Sequence, residues 1–375
     1  MVNQAEFIRT LQDNGVTFFC GVPDSYLNGF NNYLKNNIPA EQNVITANEG
    51  NAIALAAGHY LATGAIPFVY MQNSGLGNCV NPLLSLTDKN VYSVPMVLLI
   101  GWRGEPGTKD DTREQHISQG KLTKPLLEDM EIPYHILSDE TALDDAVWAV
   151  EAAKGIQAPV ALIAPDQVMT EKKKNGSDTS YPMSREDAIA VVLDTMPKDT
   201  IYMATTGRAT RELFCQRELR RETHDCDFLN IGSMGHASSV ALGLAMGRPE
   251  RKVVCLDGDA AAIMHMGNMA IAGSRGLSNY IHIVLNNGAH ESVGGQPSVG
   301  QTIDFTGIAE NCGFYTVGHY IATVDALKDA VQKCCDCARA SFIDVCIHSG
   351  LRSDLGSITM TSQEMIDALK NELKK

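Results

Sequence analysis

The stretch "LDGDAAAIMHMGN", residues 256–268, follows an apolar run at residues 253–256 and continues into small side chains. It places Asp259 just after a predicted strand, and open α/β sheets bind ligands beyond the carboxyl ends of their strands. The next apolar run, "IHIVL" at residues 281–285, is soon followed by Asn287. Because consecutive strands are often neighbours in a sheet, we expect Asp259 and Asn287 at the same sheet edge.

Carboxylate and carboxamide oxygens are hard ligands of the kind that suit Mg²⁺, which takes its other ligands from water and phosphate. The glycine and alanines around Asp259 leave room for a phosphate against main-chain N–H groups at the start of the next helix. The segment therefore permits a magnesium diphosphate site. Asp-Gly-Asp also occurs in ordinary strand-to-helix turns, so a purely structural interpretation stays open at this point.

Composition limits the class of protein. The 375 residues suffice for two domains, and the net charge of −14 argues against nucleic-acid or anionic-membrane partners. No apolar run approaches the ~20 residues that span a bilayer, and residues 1–15 alternate charged and apolar side chains at helical spacing, unlike a signal peptide. The ten cysteines lack the paired C-x-x-C elements of a structural zinc site. We expect reduced thiols and a cytoplasmic location.

Short apolar runs alternate with helical patterns throughout the chain, which is typical of parallel sheets covered by helices on both faces. Strands are predicted at residues 67–71, 95–100, 159–164, 200–204, 252–257, 281–286 and 342–348. The polar segment at residues 170–182 reads as a linker. The predicted fold is α/β, with two doubly wound parallel-sheet domains at residues 1–170 and 183–375, a linker at 171–182 and no middle domain.

Two predicted helices indicate that the halves are alike. Residues 51–64 and 236–247 both consist largely of small side chains and end in glycine. Alanine and glycine on a helix surface allow another helix or a ligand to approach closely. We therefore expect two similar α/β domains.

The order Gly258-Asp259-Ala260 and then Asn286-Asn287 resembles the signature of thiamine diphosphate enzymes, in which Gly-Asp-Gly precedes Asn-Asn at a similar spacing. Ala260 departs from the third glycine by one methyl group. The resemblance implies two further features. Glu49, after the residues "VIT" and before a small-residue helix, matches the glutamate that protonates the aminopyrimidine ring. Met234, in a glycine-flanked turn, matches the apolar side chain that bends the cofactor. A helix cap and a core methionine are the ordinary alternatives.

The resemblance extends over both halves and is closest to the family's two-domain decarboxylases. It is carried by eight stretches: "GVPDS" (21–25), "NEGNAIALAAG" (48–58), "QNSGLGN" (72–78), "WRGEPG" (102–107), "EQHISQGK" (114–121), "TTGRATRELF" (205–214), "NIGSMGHASS" (230–239) and "NNGAHESVGGQPS" (286–298). It implies decarboxylation of 3-phosphonopyruvate to phosphonoacetaldehyde and CO₂ through the thiamine diphosphate ylide, in phosphonate biosynthesis.

The substrate-side residues follow from charge and from the same resemblance. Cations lie along the glycine-rich, strandless residues 101–124, and guanidinium groups suit phosphonate and sulfonate oxygens equally. A solvated loop with compensating acids is an alternative. The predicted substrate-binding residues are Ser25, Arg103, Lys109 and Arg113. Sulfopyruvate as substrate and a non-catalytic cofactor-binding protein also stay open, whereas a Rossmann-type nicotinamide enzyme is disfavoured because no G-x-G-x-x-G follows the first strand.

The resemblance also implies the remaining site residues. Glu49 is the cofactor-activating acid, and Asp24 and His116 are candidates for late proton transfer, although a surface histidine is an alternative for His116. The cofactor contacts implied are Thr205, Thr206, Gly207, Gly232, Met234, Gly258, Ala260 and Asn286. The implied magnesium ligands are Asp259, Asn287 and the Ala289 carbonyl. In this family one site is shared between two chains, so we expect at least a dimer. His290 and Glu291 receive no role.

Overall fold

The computed structural model describes residues 1–171, 180–350, 352 and 354–375. The chain divides into two compact units, one built on the described residues up to 171 with Val293–Gln296, the other on residues 180–292 and Pro297–Lys375. Most of the predicted linker, residues 172–179, lies outside the described part. The domain boundaries at 170 and 183 therefore stay predictions, while the division into two units is observed.

The first unit is a six-stranded parallel sheet with helices on both faces. Its strand order is β2-β1-β3-β4-β6-β5, with bounds β1 Phe19–Gly21, β2 Asn43–Ile45, β3 Phe68–Gln72, β4 Met96–Gly101, β5 Tyr134–Ile136 and β6 Pro159–Ala164. The helices are α1 Gln4–Asp13, α2 Asn28–Asn37, α3 Glu49–Thr63, α4 Leu76–Pro82, α5 Glu114–Asp129 and α6 Ala142–Ile156.

The second unit repeats this plan with the strand order β13-β14-β10-β9-β7-β8. Its strands are β7 Ile201–Ala204, β8 Asp227–Leu229, β9 Val253–Gly258, β10 Tyr280–Asn286, β11 Ala289–His290, β12 Gln296–Pro297, β13 Tyr315–Thr316 and β14 Ser341–Cys346. Its helices are α7 Arg185–Thr195, α8 Arg208–Arg220, α9 Ala237–Gly247, α10 Asp259–Met264, α11 Gly267–Arg275, α12 Phe305–Asn311, α13 Val324–Asp336 and α14 Ser362–Glu372.

The seven strands predicted from apolar runs are confirmed within two positions as β3, β4, β6, β7, β9, β10 and β14. Every residue of β4, β6, β10 and β14 is buried, because helices cover both sheet faces. The strands that sequence reasoning did not locate are two or three residues long, too short for an apolar run to stand out.

The two small-residue segments are both helices, as predicted. Helix α3 begins at Glu49 because the Asn48 side chain caps it by accepting the Asn51 N–H at 2.9 Å. It ends at Gly64, whose φ of +73° suits glycine in a left-handed cap. Helix α9 likewise packs buried alanines, Ala237, Ala241 and Ala245, on its sheet. No helix in the described part of the chain is long and apolar enough to cross a membrane.

Candidate active site

Asp259 is the first residue of α10, directly after β9, and only 2% of its surface is exposed. The Ser298 hydroxyl donates to its carboxylate, as do the main-chain N–H groups of Ala260 and Asn287. Strand β10 lies beside β9 with Leu285 opposite Gly258, which brings Asn287 to the end of β9. The predicted proximity of Asp259 and Asn287 at one sheet edge is therefore confirmed.

Two buried carboxylates, those of Asp259 and Asp344, lie at this end of the sheet. Burial raises the pKa of Asp259 to about 6, against which its hydrogen bonds act. Burial likewise raises the pKa of Asp344, on β14, to about 6, and the charge of Asp259 adds to the shift. A divalent cation would relieve this cost, so the carboxylate pair fits a metal on electrostatic grounds.

The two asparagines after β10 have different surroundings. Asn286 is fully buried, and its amide donates to the Gly300 carbonyl at 2.8 Å and to Asp344 at 3.1 Å. Its side chain thus ties the strand to its neighbours, and its predicted cofactor contact stays a prediction. The Asn287 amide nitrogen donates to Glu291 at 3.0 Å, which directs the amide oxygen away from that carboxylate. The same oxygen accepts the Ala289 N–H at 3.2 Å.

Glu291 is held by two arginines, although sequence reasoning assigned it no role. Arg185 contacts its Oε2 atom, and Arg208 reaches its Oε1 atom at 2.5 Å. Because these cations and the Asn287 amide occupy the carboxylate, Glu291 anchors the loop that carries the predicted metal ligands. This arrangement differs from that of a free catalytic acid.

The turn after β7 has the features of a phosphate cradle. Thr205 is buried, and its hydroxyl oxygen has no hydrogen-bond partner among the described atoms. Gly207 directly precedes α8 with φ +106°, and a Cβ added there would meet nothing closer than 3.9 Å. A Cβ added at Gly258 would likewise meet only Thr205, at 3.9 Å. Thr206, between Thr205 and Gly207 in the sequence, is half-buried. Open backbone beside an unpaired buried hydroxyl fits a diphosphate group.

Met234 lies half-buried in the loop between β8 and α9. The turn is tight, with φ +50° at Ser233 and φ +86° at Gly235. A Cβ at Gly235 would lie 2.8 Å from the His265 ring, so only glycine fits there. Gly232 is held by donating its N–H to Asn230 at 3.1 Å. The glycine-flanked turn expected from the resemblance is present, and the role of Met234 as a cofactor support stays a prediction.

Glu49, in the first unit, is 5% exposed at the start of α3. The Asn78 amide donates to its Oε2 atom at 2.7 Å. A Cβ at Gly75 would lie 2.5 Å from the Glu49 side chain, so the absence of a side chain at Gly75 makes room for the carboxylate. Asn78 was not predicted; the stretch "QNSGLGN" that contains it was the available signal.

Asp24, Ser25 and Arg103 form one group of contacting side chains, in which Asp24 and Arg103 are buried and Ser25 is half-buried. Arg103 donates to Asp24 Oδ1 through Nε at 3.1 Å and Nη2 at 3.0 Å, and it also contacts the Ser25 hydroxyl. Its guanidinium stacks over the Tyr26 ring, 4.3 Å from the centroid. The Asn73 amide nitrogen donates to the Arg103 carbonyl at 2.8 Å, and the Asn73 amide oxygen accepts the Arg103 N–H at 3.2 Å. The structure therefore joins two predicted substrate-binding residues to a predicted proton-transfer residue.

His116 lies in the first turn of α5 and is buried, so its interpretation as a surface loop histidine is wrong. Asp110, also buried, has its Oδ2 atom 3.1 Å from His116 Nδ1, within hydrogen-bond distance, and this oxygen accepts the Gly104 N–H at 2.9 Å. Burial opposes ionisation of Asp110, but these hydrogen bonds outweigh it and place its pKa below the usual range. Burial lowers the pKa of His116, while Asp110 acts in the opposite direction.

The remaining predicted substrate-binding residues have exposed side chains. Lys109 is exposed, and Arg113 has 60% of its side chain exposed while pairing with Asp110 at 3.2 Å. The cation-rich segment is therefore divided between a buried part around Arg103 and an exposed part. Asp110, one of the compensating acids in the alternative of a solvated loop, lies in the buried part. Charge pattern alone carries no signal for that difference.

One further group of possible metal ligands occurs among the described residues. Cys255, Asp257 and His282 are fully buried on β9 and β10, with potential ligand atoms within 4.8 Å of one another. His282 Nε2 lies 3.3 Å from Asp257, and burial raises the pKa of the Cys255 thiol well above its usual value. A thiol and an imidazole are not ligands that Mg²⁺ prefers, which leaves Asp259 and Asn287 as the magnesium candidates.

Comparison with known proteins identifies the class. Residues 3–124 match the family model described as thiamine pyrophosphate enzyme, N-terminal TPP binding domain, and residues 206–345 match the corresponding C-terminal TPP binding domain. The chain belongs to the thiamine diphosphate-dependent decarboxylase family. Thiamine diphosphate is accordingly its cofactor, which confirms the prediction from the Gly258-Asp259-Ala260 signature.

Three relatives are similar to the chain over most of its length. A phosphonopyruvate decarboxylase from Streptomyces viridochromogenes is 32% identical, over 97% of this chain and 93% of that protein. Another from Streptomyces hygroscopicus is 31% identical, over 95% and 90%. A sulfopyruvate decarboxylase from Methanosarcina acetivorans is 27% identical, over 100% and 98%.

Proposed function

We propose that the protein decarboxylates 3-phosphonopyruvate to phosphonoacetaldehyde and CO₂, a step in the biosynthesis of phosphonates such as 2-aminoethylphosphonate. The observation that carries this proposal is the 32% identity to a phosphonopyruvate decarboxylase across both units. The buried group around Asp24 and Arg103 supports it, because it provides ionisable side chains for proton transfer beside a cation.

Loss of CO₂ from a 2-keto acid leaves an electron pair on the carbonyl carbon, and bound thiamine diphosphate supplies the sink for it. On the second unit, Asp259, the Asn287 side chain and the Ala289 carbonyl would hold Mg²⁺. Thr205, Thr206 and Gly207 would contact the diphosphate that this ion binds. The unpaired Thr205 hydroxyl and the raised pKa of Asp259 are the features that favour this assignment.

The other cofactor contacts would orient the two rings. Met234 would support the bend of the cofactor, with Gly232, Gly258, Ala260 and Asn286 forming the nearby wall. On the first unit, Glu49 would share a proton with a pyrimidine nitrogen. The Asn78 amide supports this role because it fixes one carboxylate oxygen, Oε2, at 2.7 Å and leaves Oε1 for the ring.

Asp24 and His116 would deliver the proton that replaces CO₂ on the carbonyl carbon. Ser25 and Arg103 would contact the substrate. Arg103 already pairs with the carboxylate of Asp24, so it would also hold Asp24 in place. Lys109 and Arg113 are exposed and would meet the phosphonate only at the outer end of the substrate. The doubly charged phosphonate of 3-phosphonopyruvate gains more binding energy from several cations than the uncharged methyl group of pyruvate does.

Sulfopyruvate is the second candidate substrate, since the Methanosarcina acetivorans relative is similar over the whole chain. The deciding experiment measures CO₂ release from phosphonopyruvate, sulfopyruvate and pyruvate, each with and without thiamine diphosphate and Mg²⁺. We expect the highest kcat/KM for phosphonopyruvate, and no turnover without the cofactor. Preference for sulfopyruvate would refute the proposed substrate. Cofactor binding without turnover of any acid would favour a non-catalytic protein.

We further propose that two copies of the chain assemble, in the cytoplasm, so that each site draws Glu49 from one copy and Asp259 from the other. Exposed apolar side chains on the small-residue helices support a contact surface: Leu55, Leu61, Val240 and Met246. Light scattering across a dilution series measures dissociation of the dimer. Activity, assayed at the same protein concentrations, should fall as the dimer dissociates. A fully active monomer would contradict the assembly.

A further inference from the structure

The first unit contains a continuous chain of polar contacts that links Asp24 to His116. Arg103 binds Asp24 and stacks on the Tyr26 ring. Burial raises the pKa of the Tyr26 hydroxyl, and the nearby Asp110 carboxylate raises it further. Asp110 Oδ2 in turn lies 3.1 Å from His116 Nδ1. The two predicted proton-transfer residues therefore share one network, in which Arg103 was predicted from the sequence and Tyr26 and Asp110 received no role there.

Asp110 is held so that it can serve His116. Its Oδ2 atom accepts both the Gly104 N–H and the imidazole, while Oδ1 pairs with Arg113. The Gly104 backbone is itself fixed: its φ is +69°, and a side chain there would collide with the carbonyl of His116. An ionised carboxylate only accepts hydrogen bonds, so the imidazole must present Nδ1–H to it.

We propose that Asp110 is a positioning residue that holds His116 with its proton on Nδ1, leaving Nε2 to exchange the proton of the reaction. Nε2 takes up from the solvent the one proton that the net decarboxylation consumes. It gives this proton to the carbonyl carbon from which CO₂ has left, so a C–H bond replaces the broken C–C bond. The imidazole returns to its neutral form, and the aldehyde gains one hydrogen. The carboxylate stabilises the transient imidazolium. This role rests on the proposed decarboxylation, whereas the tautomer of His116 does not.

The first test reads the tautomer in the wild-type protein without substrate. Nitrogen-15 NMR of histidine-labelled protein distinguishes Nδ1–H from Nε2–H imidazoles, and a His116→Asn variant assigns the resonance. We expect the Nδ1–H form for neutral His116. An Nε2–H form in the wild-type protein would overturn the proposal, because Asp110 would then have no proton to accept.

The second test is Asp110→Asn, which keeps the size of the side chain but can donate to Nδ1. We expect kcat to fall about 100-fold or more, in the range of general acid–base effects, with little change in KM. The ionisation seen in the pH profile should move to lower pH, because Asp110 raises the pKa of His116 while Arg103 and Arg113 lower it. Asp110→Glu should restore part of the rate.

The matched control is Asp111→Asn, which changes the adjacent carboxylate, a partner of the Gly107 N–H rather than of the imidazole. It should leave the tautomer and kcat unchanged. An Asp110→Asn enzyme with wild-type kcat and an unchanged pH profile would overturn the proposal. Failure of the wild-type protein to decarboxylate phosphonopyruvate would refute the proposed function instead, and the NMR result would still decide the contact between Asp110 and His116.

Discussion

The Asn78 amide donates a 2.7 Å hydrogen bond to the carboxylate of Glu49, at the buried start of α3. This contact holds the Oε2 atom of Glu49, and Oε1 is the oxygen that the proposed cofactor contact would use. Because Gly75 leaves space for the carboxylate, the arrangement depends on both neighbours.

Glu49→Gln should abolish most of the activity while the cofactor still binds. An amide cannot share the proton that the pyrimidine nitrogen needs, so we expect a loss of about 100- to 10,000-fold in kcat. Calorimetry with thiamine diphosphate and Mg²⁺ should give a Kd near that of the wild-type protein. Glu6→Gln, on the exposed face of α1, is the control and should retain full activity. Undiminished turnover by Glu49→Gln would refute the role of Glu49.

Asp259→Asn should weaken Mg²⁺-dependent binding of thiamine diphosphate. Loss of a residue that supports a metal ligand typically lowers metal affinity about 10–100-fold. Loss of the ligating carboxylate itself should therefore lower the affinity at least about 100-fold. Asp336→Asn changes an exposed carboxylate and should have no effect. Fluorescence titration with Mg²⁺ at fixed cofactor measures the difference, and equal affinities in the two variants would show that Asp259 is not a ligand.

The metal-free protein should release protons when it binds Mg²⁺ with the cofactor below about pH 6, where burial leaves Asp259 partly protonated. Only the ionised carboxylate binds the ion, so affinity should fall as the pH drops through this value and level off above it. Calorimetry in two buffers of different ionisation enthalpy measures the proton count. A count that does not change between about pH 5 and about pH 8 would contradict the assignment.

Asp227→Asn should destabilise the second unit strongly. Arg217 binds both oxygens of this buried carboxylate, at 3.0 and 2.8 Å, and joins α8 to β8. Removing one partner of a buried pair leaves the other charge uncompensated, at a cost of about 3–5 kcal/mol in the free energy of unfolding. Urea unfolding measures it. Asp225→Asn, in the adjacent loop, should change stability by no more than about 0.5 kcal/mol, and equal losses would rule out this explanation.

Glu212 should make stability fall as the pH rises from about 4.5 towards about 7. Burial raises its pKa to about 7 from an ordinary 4.5, although Arg185 acts against the shift. The folded protein therefore binds this proton more tightly than the unfolded chain, so the favourable contribution is lost as the pH passes the folded pKa. Glu212→Gln should flatten this part of the pH–stability curve, while the surface variant Glu250→Gln should not. An unchanged curve in Glu212→Gln would exclude Glu212 as its source.

The sequence predicted the diphosphate side of the candidate site well, because its residues follow long buried strands whose apolar runs are easy to recognise. Asp259 and Asn287 were expected at one sheet edge, and β9 and β10 place them there. The substrate side was predicted less completely. Asp24, Arg103 and His116 were predicted, whereas Asp110 belonged only to the alternative of a solvated loop with compensating acids and received no role.

The sequence by itself determined the class of fold, the family and the cofactor, since these depend on local signals: apolar periodicity, small-residue helices and the spacing of Gly-Asp-Ala and Asn-Asn. Only the tertiary structure decided which polar side chains act together. Burial and hydrogen-bond partners arise from segments that are distant along the chain, as when Asn78 meets Glu49 or Arg103 meets Asp24. A carboxylate on an exposed loop is a solvated charge, whereas a buried one can be the partner of another side chain. The folded chain buries Asp110 and places its Oδ2 atom 3.1 Å from His116 Nδ1.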